Sequence, residues 1–392
     1  MIDLLEQVRV AFIGIPDAGK STLISSLIKH LYNKVISTDT LMNEVHYTDG
    51  KDIYGNDDTR TIRAAKILCP YKDYELMLID CPGHTEYMEQ IKQGLDLSSI
   101  IVCLLDCNRI EESQDYIANI LKEIDITEKH ILHIYTHAEK NDEYGFESNL
   151  DEVYRPLNSL LDKIDLFSDN RVNIGEEAKR IAKSVLPLFD KKVLMFSGGK
   201  DSIVGYDICM NIDESIVGVW PKSGFDFKEL VSFIKGNYVV KPLRNLPVGM
   251  TYDNSSVFKI HEAKGAFNNE IEEESDLLII NYRASDEGVR SKDHFLKMGT
   301  VCHRFSPVFY FSEENIWRYI GKYNLEFPSI YFKGYRSLGD EPVTIPSMPE
   351  CQIVEEIIDY VHSHPFEERD GRKAQDNSVD FGMEKLRNKG FF

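Results

Sequence analysis

The sequence predicts an α/β protein made of two doubly wound domains, each a mostly parallel sheet covered by helices. Three observations lead there. Apolar runs of strand length alternate with amphipathic helical spacing along both halves of the chain. Each half holds such a run followed at once by a glycine-rich turn, 13-IGIPDAGKST-22 in the first and 193-VLMFSGGKDS-202 in the second. A chain of 392 residues is long enough to bury two cores.

The elements follow in order. Residues 8–13 read as a strand and 20–31 as a helix. The runs at 75–79, 100–105 and 130–135 are largely apolar, as is typical of parallel strands covered on both faces. Residues 175–188 have helical spacing, with Glu176 and Glu177 suited to the positive end of a helix dipole. A polar break at Asp190-Lys191-Lys192 then precedes a new strand at 193–196, which sets a domain boundary near residue 190. The expected domains are 1–190 and 191–392. In the second, 216–219, 238–240 and 277–281 read as strands between helices. No internal repeat or low-complexity tract interrupts the pattern.

Composition bounds the function. Hydrophobic residues make up 42% and charged residues 28%, ordinary for globular domains. A formal net charge of −20 argues against a nucleic-acid partner, since phosphate backbones are held by Lys and Arg clusters. Seven cysteines without CxxC spacing suit a reducing compartment and give no zinc site. The N-terminus shows no leader pattern, and no apolar run reaches the ~20 residues a bilayer requires. The expectation is a cytoplasmic protein with small-molecule substrates and no membrane partner; a homo-oligomer stays open.

The first turn matches GxxxxGK[ST] between a strand and a helix. Gly14, Asp17 and Gly19 shape a loop whose N–H groups face a phosphate; Lys20 reaches the β- and γ-phosphates, and Ser21 and Thr22 follow. Ser21 can ligate Mg²⁺. The run at 76–79 ends in 80-DCPGH-84, where Asp80 can hold the Mg²⁺ shell and Gly83 can offer its N–H to a γ-phosphate. With Tyr87, this block resembles the translation-factor branch of GTPases. That resemblance implies His84 as the residue orienting the attacking water and Thr61, in 59-TRTI-62, as the switch threonine on Mg²⁺. It also implies 136-THAE-139 as the guanine-reading motif, through Thr136 and Glu139. Where the family has Gly-Ile before the switch threonine, this chain has Thr59-Arg60.

The second turn is built differently. It lacks GK[ST], its glycines are adjacent, and it matches the SGGxDS loop of ATP pyrophosphatases of the N type, the PP-loop or adenine-nucleotide α-hydrolase-like fold. That resemblance implies an ATP phosphate cradle from Ser197, Gly198, Gly199, Asp201 and Ser202, with Lys200 adding charge at the helix mouth. Three later blocks, 281-NYRASDEGVR-290, 334-GYRSLGDEPVT-344 and 366-FEERDGRKAQD-376, lead into 383-MEKLRNKGFF-392. Together they resemble the catalytic subunit of bacterial-type sulfate adenylyltransferases and their archaeal relatives. In that family the catalytic subunit pairs with a translation-factor-like GTPase.

The resemblance implies a GTP-stimulated sulfate adenylyltransferase of sulfur metabolism, making adenylylsulfate and pyrophosphate from ATP and sulfate, with Mg²⁺, ATP and GTP bound. Sulfate has no proton to lose at neutral pH, so the site has to align two mutually repelling anions. Arg283, Arg290 and Arg336 are the candidates for that work, through bidentate contacts. Asp286 and Glu287 would fix those arginines. A reductase of the related adenylylsulfate branch would need a nucleophilic cysteine in an ECGxH-like context, whereas Cys351 sits in 349-PECQIV-354. Another sulfur-transfer enzyme with the same loop is a further alternative, and a nucleotide-responsive regulatory protein is the alternative of another class.

Overall fold

The computed structural model describes residues 2–32, 64–137, 150–222, 224–242, 271, 274–285, 294–368 and 371, with backbone alone at 150–156, 242 and 343. The described residues form two compact units, Glu6–Val172 and a second comprising Ile2–Leu5 with those from Asn173 onward.

The first unit is a five-stranded sheet in the order β2-β3-β1-β4-β5. Its strands are β1 Gln7–Ile13, β2 Ala65–Tyr71, β3 Tyr74–Asp80, β4 Ile100–Asp106 and β5 His130–Thr136. β3, β1, β4 and β5 run parallel, while β2 pairs antiparallel with β3. Every residue of β1, β3 and β4 is buried, as covering both faces requires. Among the described residues, helices Lys20–Tyr32, Met88–Leu97, Ile110–Leu121 and Leu150–Leu166 accompany this sheet. β2 has no counterpart among the sequence expectations. It carries Lys66 and Pro70, and Pro is tolerated there because this is an edge strand with one side of its backbone unpaired.

The second unit holds a six-stranded sheet, β10-β11-β9-β6-β7-β8. These are β6 Lys192–Met195, β7 Val217–Trp220, β8 Lys241–Pro242, β9 Leu277–Ile279, β10 Leu296–Lys297 and β11 His303–Phe305. All neighbours pair in parallel except β10 with β11. Both units are thus α/β, each parallel sheet finished by an antiparallel edge strand.

Two expectations shift. The strand expected at 238–240 begins at Lys241, because Tyr238 N–H still closes the preceding helix on the Ile234 carbonyl at 3.0 Å and Val239 is 89% exposed. The boundary falls at Val172/Asn173 and not near residue 190. Asn173 caps the helix Ile174–Val185 through its side chain, which accepts from Glu176 N–H at 3.1 Å. That helix and Ile2–Leu5 belong to the second unit. Leu5 N–H donates to Asn315 Oδ1 at 2.8 Å, and Asn315 Nδ2 returns a bond to the Leu5 carbonyl at 3.1 Å.

Candidate functional site

In the first unit the loop between β1 and the helix Lys20–Tyr32 adopts the left-handed backbone its sequence calls for, with φ of 61° at Asp17 and 84° at Gly19. Lys20 is buried, and its Nζ donates to the Gly14 and Ile15 carbonyls at 3.0 Å each. Burial holds its pKa below the usual lysine range, against the opposing charge of Asp80. Ser21 Oγ donates to Asp80 Oδ2 at 2.7 Å, so the carboxyl end of β3 and the start of the helix converge on one point. Thr22, beside them, is exposed.

The 80-DCPGH-84 turn lies directly on the loop. A β-carbon at Gly83 would stand 2.8 Å from Lys20 Nζ and 2.9 Å from Pro16 N, so only glycine allows this approach. Tyr116 Oη donates to the Pro82 carbonyl at 3.3 Å and supports the turn from behind. His84 is half-buried, in edge contact with Tyr87 at a centroid distance of 6.5 Å. At the end of β5, Thr136 Oγ1 approaches the Leu105 carbonyl at 3.5 Å, and His137 adopts φ of 58°. Thr61, Glu139, Arg290, Asp286 and Glu287 lie outside the described residues.

Ser21 and Asp80 are hard oxygen donors brought together, which suits Mg²⁺ bound largely through phosphate oxygens and water. Among the described residues no group of three or more His, Cys, Asp or Glu side chains could hold a metal by itself.

In the second unit the SGGKDS loop leaves β6, where the strand order reverses: β7 and β8 follow on one side and β9 lies on the other. Ligands of open α/β sheets bind at such a point. Gly198 takes φ of 76°, Ser197 Oγ and Ser202 Oγ are 3.2 Å apart, and Ser202 Oγ donates to the Gly199 carbonyl at 2.8 Å. Lys200 N–H, at the first turn of the helix Lys200–Met210, donates to Tyr331 Oη at 2.9 Å.

Beneath this loop lies a buried ionic network that motif spacing does not disclose. Lys200 is 1% exposed and donates to Glu368 Oε1 at 2.6 Å, with Glu313 Oε1 at 3.6 Å. Arg283, equally enclosed, pairs with Asp201 at 2.8 Å and with Glu368. Arg336, wholly buried, forks onto Glu313 Oε2 through Nε at 3.0 Å and Nη2 at 2.9 Å, and Nη2 also bonds the His364 carbonyl at 2.5 Å. Its Nη1 has no hydrogen-bond partner among the described residues. Arg283 and Arg336, two of the three arginines expected to contact bound anions, are paired with protein carboxylates, and the Lys200 ammonium is enclosed in the same network.

Electrostatics follow the geometry. Burial opposes the Lys200 charge, yet Glu368, Glu313 and Asp201 outweigh it and hold its pKa up. Burial likewise opposes the Glu368 charge, and Arg283 and Lys200 outweigh it, holding that carboxyl well below the usual range. Glu313 is shifted up, by burial and by its neighbour Glu368. Glu368 had a sequence signal, its place in 366-FEERDGRKAQD-376; Glu313 reads only as an acidic residue in the first turn of a helix.

A loop closing on a buried lysine, a serine bonded to the strand-end aspartate and a glycine turn over both define a P-loop GTPase unit. The chain belongs to the family of the elongation factor Tu GTP binding domain, whose sequence profile matches residues 6–316. A curated relative, elongation factor 4 of Mycoplasmopsis agalactiae, is 32% identical over 165 residues, 42% of this chain and 22% of that protein. The chain thus spans about a fifth of the length of that relative. Among solved structures, an FMN adenylyltransferase of Candida glabrata overlays with a TM-score of 0.35 at 17% identity, over 55% of this chain and 80% of that one. A phosphoadenylyl-sulfate reductase of Candida auris overlays with a TM-score of 0.34 at 11% identity, over 43% and 90%. Overlays this loose carry no weight for the chemistry. Among the described residues no helix is long and apolar enough to cross a membrane.

Proposed function

We propose that the chain makes adenylylsulfate from ATP and sulfate, stimulated by GTP hydrolysis in its first unit. One observation carries the reading. Two differently built phosphate loops, each leaving an inner strand of its own parallel sheet, stand in one polypeptide. In the first unit Lys20 and the loop amides hold the GTP phosphates, Ser21 and Asp80 hold Mg²⁺, which neutralises phosphate charge, and His84 orients water. In the second, the 197–202 loop holds the ATP phosphates while a sulfate oxygen attacks the α-phosphorus. The bond from that phosphorus to the bridging oxygen breaks, and pyrophosphate leaves.

Catalysis of this kind rests on alignment and charge compensation, because sulfate offers no proton for a base. Arg283 and Lys200 supply positive charge when Glu368 yields to an incoming anion. A reductase finds less support: Cys351 is buried, and burial raises its thiol pKa, whereas a nucleophile needs a thiolate. The internal neutralisation of Lys200, Arg283 and Arg336 favours a second reading, a unit that binds nucleotide and signals without turnover.

The test is adenylylsulfate formation from ATP, Mg²⁺ and sulfate with inorganic pyrophosphatase present, run with and without GTP. Product that rises with GTP and disappears in Lys20→Ala or Asp201→Asn is the expected result. Product indifferent to GTP would leave an uncoupled adenylyltransferase, and no product under either condition would remove sulfate as the acceptor.

A further inference from the structure

Asp106, the last residue of β4, lies between the two ends of the GTPase site. It is 2% exposed, and its carboxylate accepts from Asn108 N–H at 3.0 Å and from Arg109 Nε at 3.0 Å. His137 Nδ1, from the turn after β5, lies 3.1 Å from Asp106 Oδ1. Arg109 does not stop at Asp106. Its Nη2 also donates to the Pro16 carbonyl, inside the phosphate loop, at 2.7 Å.

The Pro16 contact has a geometric corollary. The Pro16–Asp17 peptide is trans, so its N–H points opposite to its C=O. Holding the Pro16 carbonyl on Arg109 therefore turns the Asp17 N–H away from Arg109, to the other side of the loop. Asp17 carries a positive φ, a conformation a non-glycine residue keeps only when its surroundings impose it. Arg109 is one such constraint, and its charge is near enough to act on Lys20.

We infer that Asp106 and Arg109 form a strut joining the candidate base-reading turn at Thr136–His137 to the phosphate loop, with Arg109 as the positioning residue that aims the Asp17 N–H at the nucleotide phosphates. The inference rests on the GTPase reading of the first unit. A strut of this kind makes phosphate geometry depend on the base-side turn, since one carboxylate serves both.

The test uses the full chain and a fluorescent GTP analogue, measuring nucleotide dissociation together with kcat and KM for GTP hydrolysis. Arg109→Ala removes a charge-assisted bond and is expected to speed dissociation about tenfold and to lower kcat. Arg109→Lys, which keeps the charge but not the planar fork, is expected to restore part of both. Asp106→Asn combined with Arg109→Ala is expected to be no worse than the more severe single change, because both act through one path. Dissociation and kcat within twofold of the parent in Arg109→Ala would overturn the strut, and so would strict additivity of the pair. Lys20→Ala is the control: if it too leaves binding intact, the GTPase reading fails and not the strut alone. Melting of the nucleotide-free variants separates misfolding from misalignment, and Arg109→Met, keeping the apolar stem, gives a second probe at this partly exposed position.

Discussion

Lys200 and Glu368 stand 168 residues apart in sequence and are joined by a 2.6 Å hydrogen bond beneath the second phosphate loop. Glu368 also binds Arg283. One carboxylate thus occupies the two cations that an anionic ligand of this loop would seek. Glu368→Gln keeps the shape and removes the charge. The free chain is expected to melt earlier, because a buried ion network has lost a member. Pyrophosphate and ATP are expected to bind about tenfold tighter, and calorimetry reads that gain directly. A melting loss with unchanged affinity would make Glu368 purely structural.

Gly83→Ala tests the contact between the DCPGH turn and the loop. The added methyl would stand 2.8 Å from Lys20 Nζ and 2.9 Å from backbone at Pro16, and the backbone cannot give way as a side-chain tip can. GTP hydrolysis is expected to fall by about a hundredfold, in the range lost when a positioned transition-state donor is displaced. Melting should fall as well, since Cys81–Gly83 are buried and the clash is with backbone, so hydrolysis is measured well below the variant's melting point. Hydrolysis at the parent rate would mean that the turn lifts off the loop during turnover.

Asn281, just past β9, packs between the end of β6 and the helix Lys200–Met210 at Gly205. Asn281 Nδ2 donates to the Met195 carbonyl at 3.1 Å, and a β-carbon at Gly205 would fall 1.7 Å from Asn281 Oδ1. Gly205→Ala is expected to destabilise the second unit by about 1–3 kcal/mol, as overpacking does. Adding Asn281→Ser, which withdraws the clashing amide, should recover most of that in a denaturant titration. Two additive losses would show that the glycine is needed for another reason.

His362 gives a pH dependence with a definite sign. Its Nδ1 lies 2.9 Å from Glu314 Oε2, and this bond raises the imidazole pKa above 6.5. A folded-state pKa above the unfolded value favours the protonated form in the fold. The contribution is therefore complete below about 6.5 and is lost as pH rises through the raised value. Arg318, on the other oxygen of Glu314 at 2.7 Å, tempers the shift. The imidazole is 44% exposed, so the effect is modest. Urea midpoints should decline from pH 6 to 8 in the parent and stay flatter in His362→Gln. Equal slopes would contradict the assignment.

Much of this architecture is legible in the sequence where two signals coincide. β1, its loop and the helix after it show an apolar run, a glycine pattern and a helical period in succession, and they form as read. β2 carries a lysine and a proline, so only its partner β3 makes it a strand. The helix Ile174–Val185 announces an apolar stripe but not the core that stripe meets, so the boundary could not be read from it. The ionic network is the least legible. Glu313 looks like a helix-start residue and Arg336 like an anion contact, and only the fold brings them within 2.9 Å.

The short N-terminal segment bears on the order in which the molecule assembles. Leu5 waits for Asn315, 310 residues later, before its hydrogen bonds can form. Between them the whole GTPase unit is spliced into the other unit as an insert. Gln7 and Val172 exchange backbone hydrogen bonds at 2.9 and 2.8 Å, so the insert enters and leaves through one doorway. Once that unit has folded, the detour from Leu5 to Asn315 contracts to roughly half its length. Closing it then costs about 0.6 kcal/mol less chain entropy. During synthesis the insert can finish first, and its folding prepares the ends that its host must later bring together.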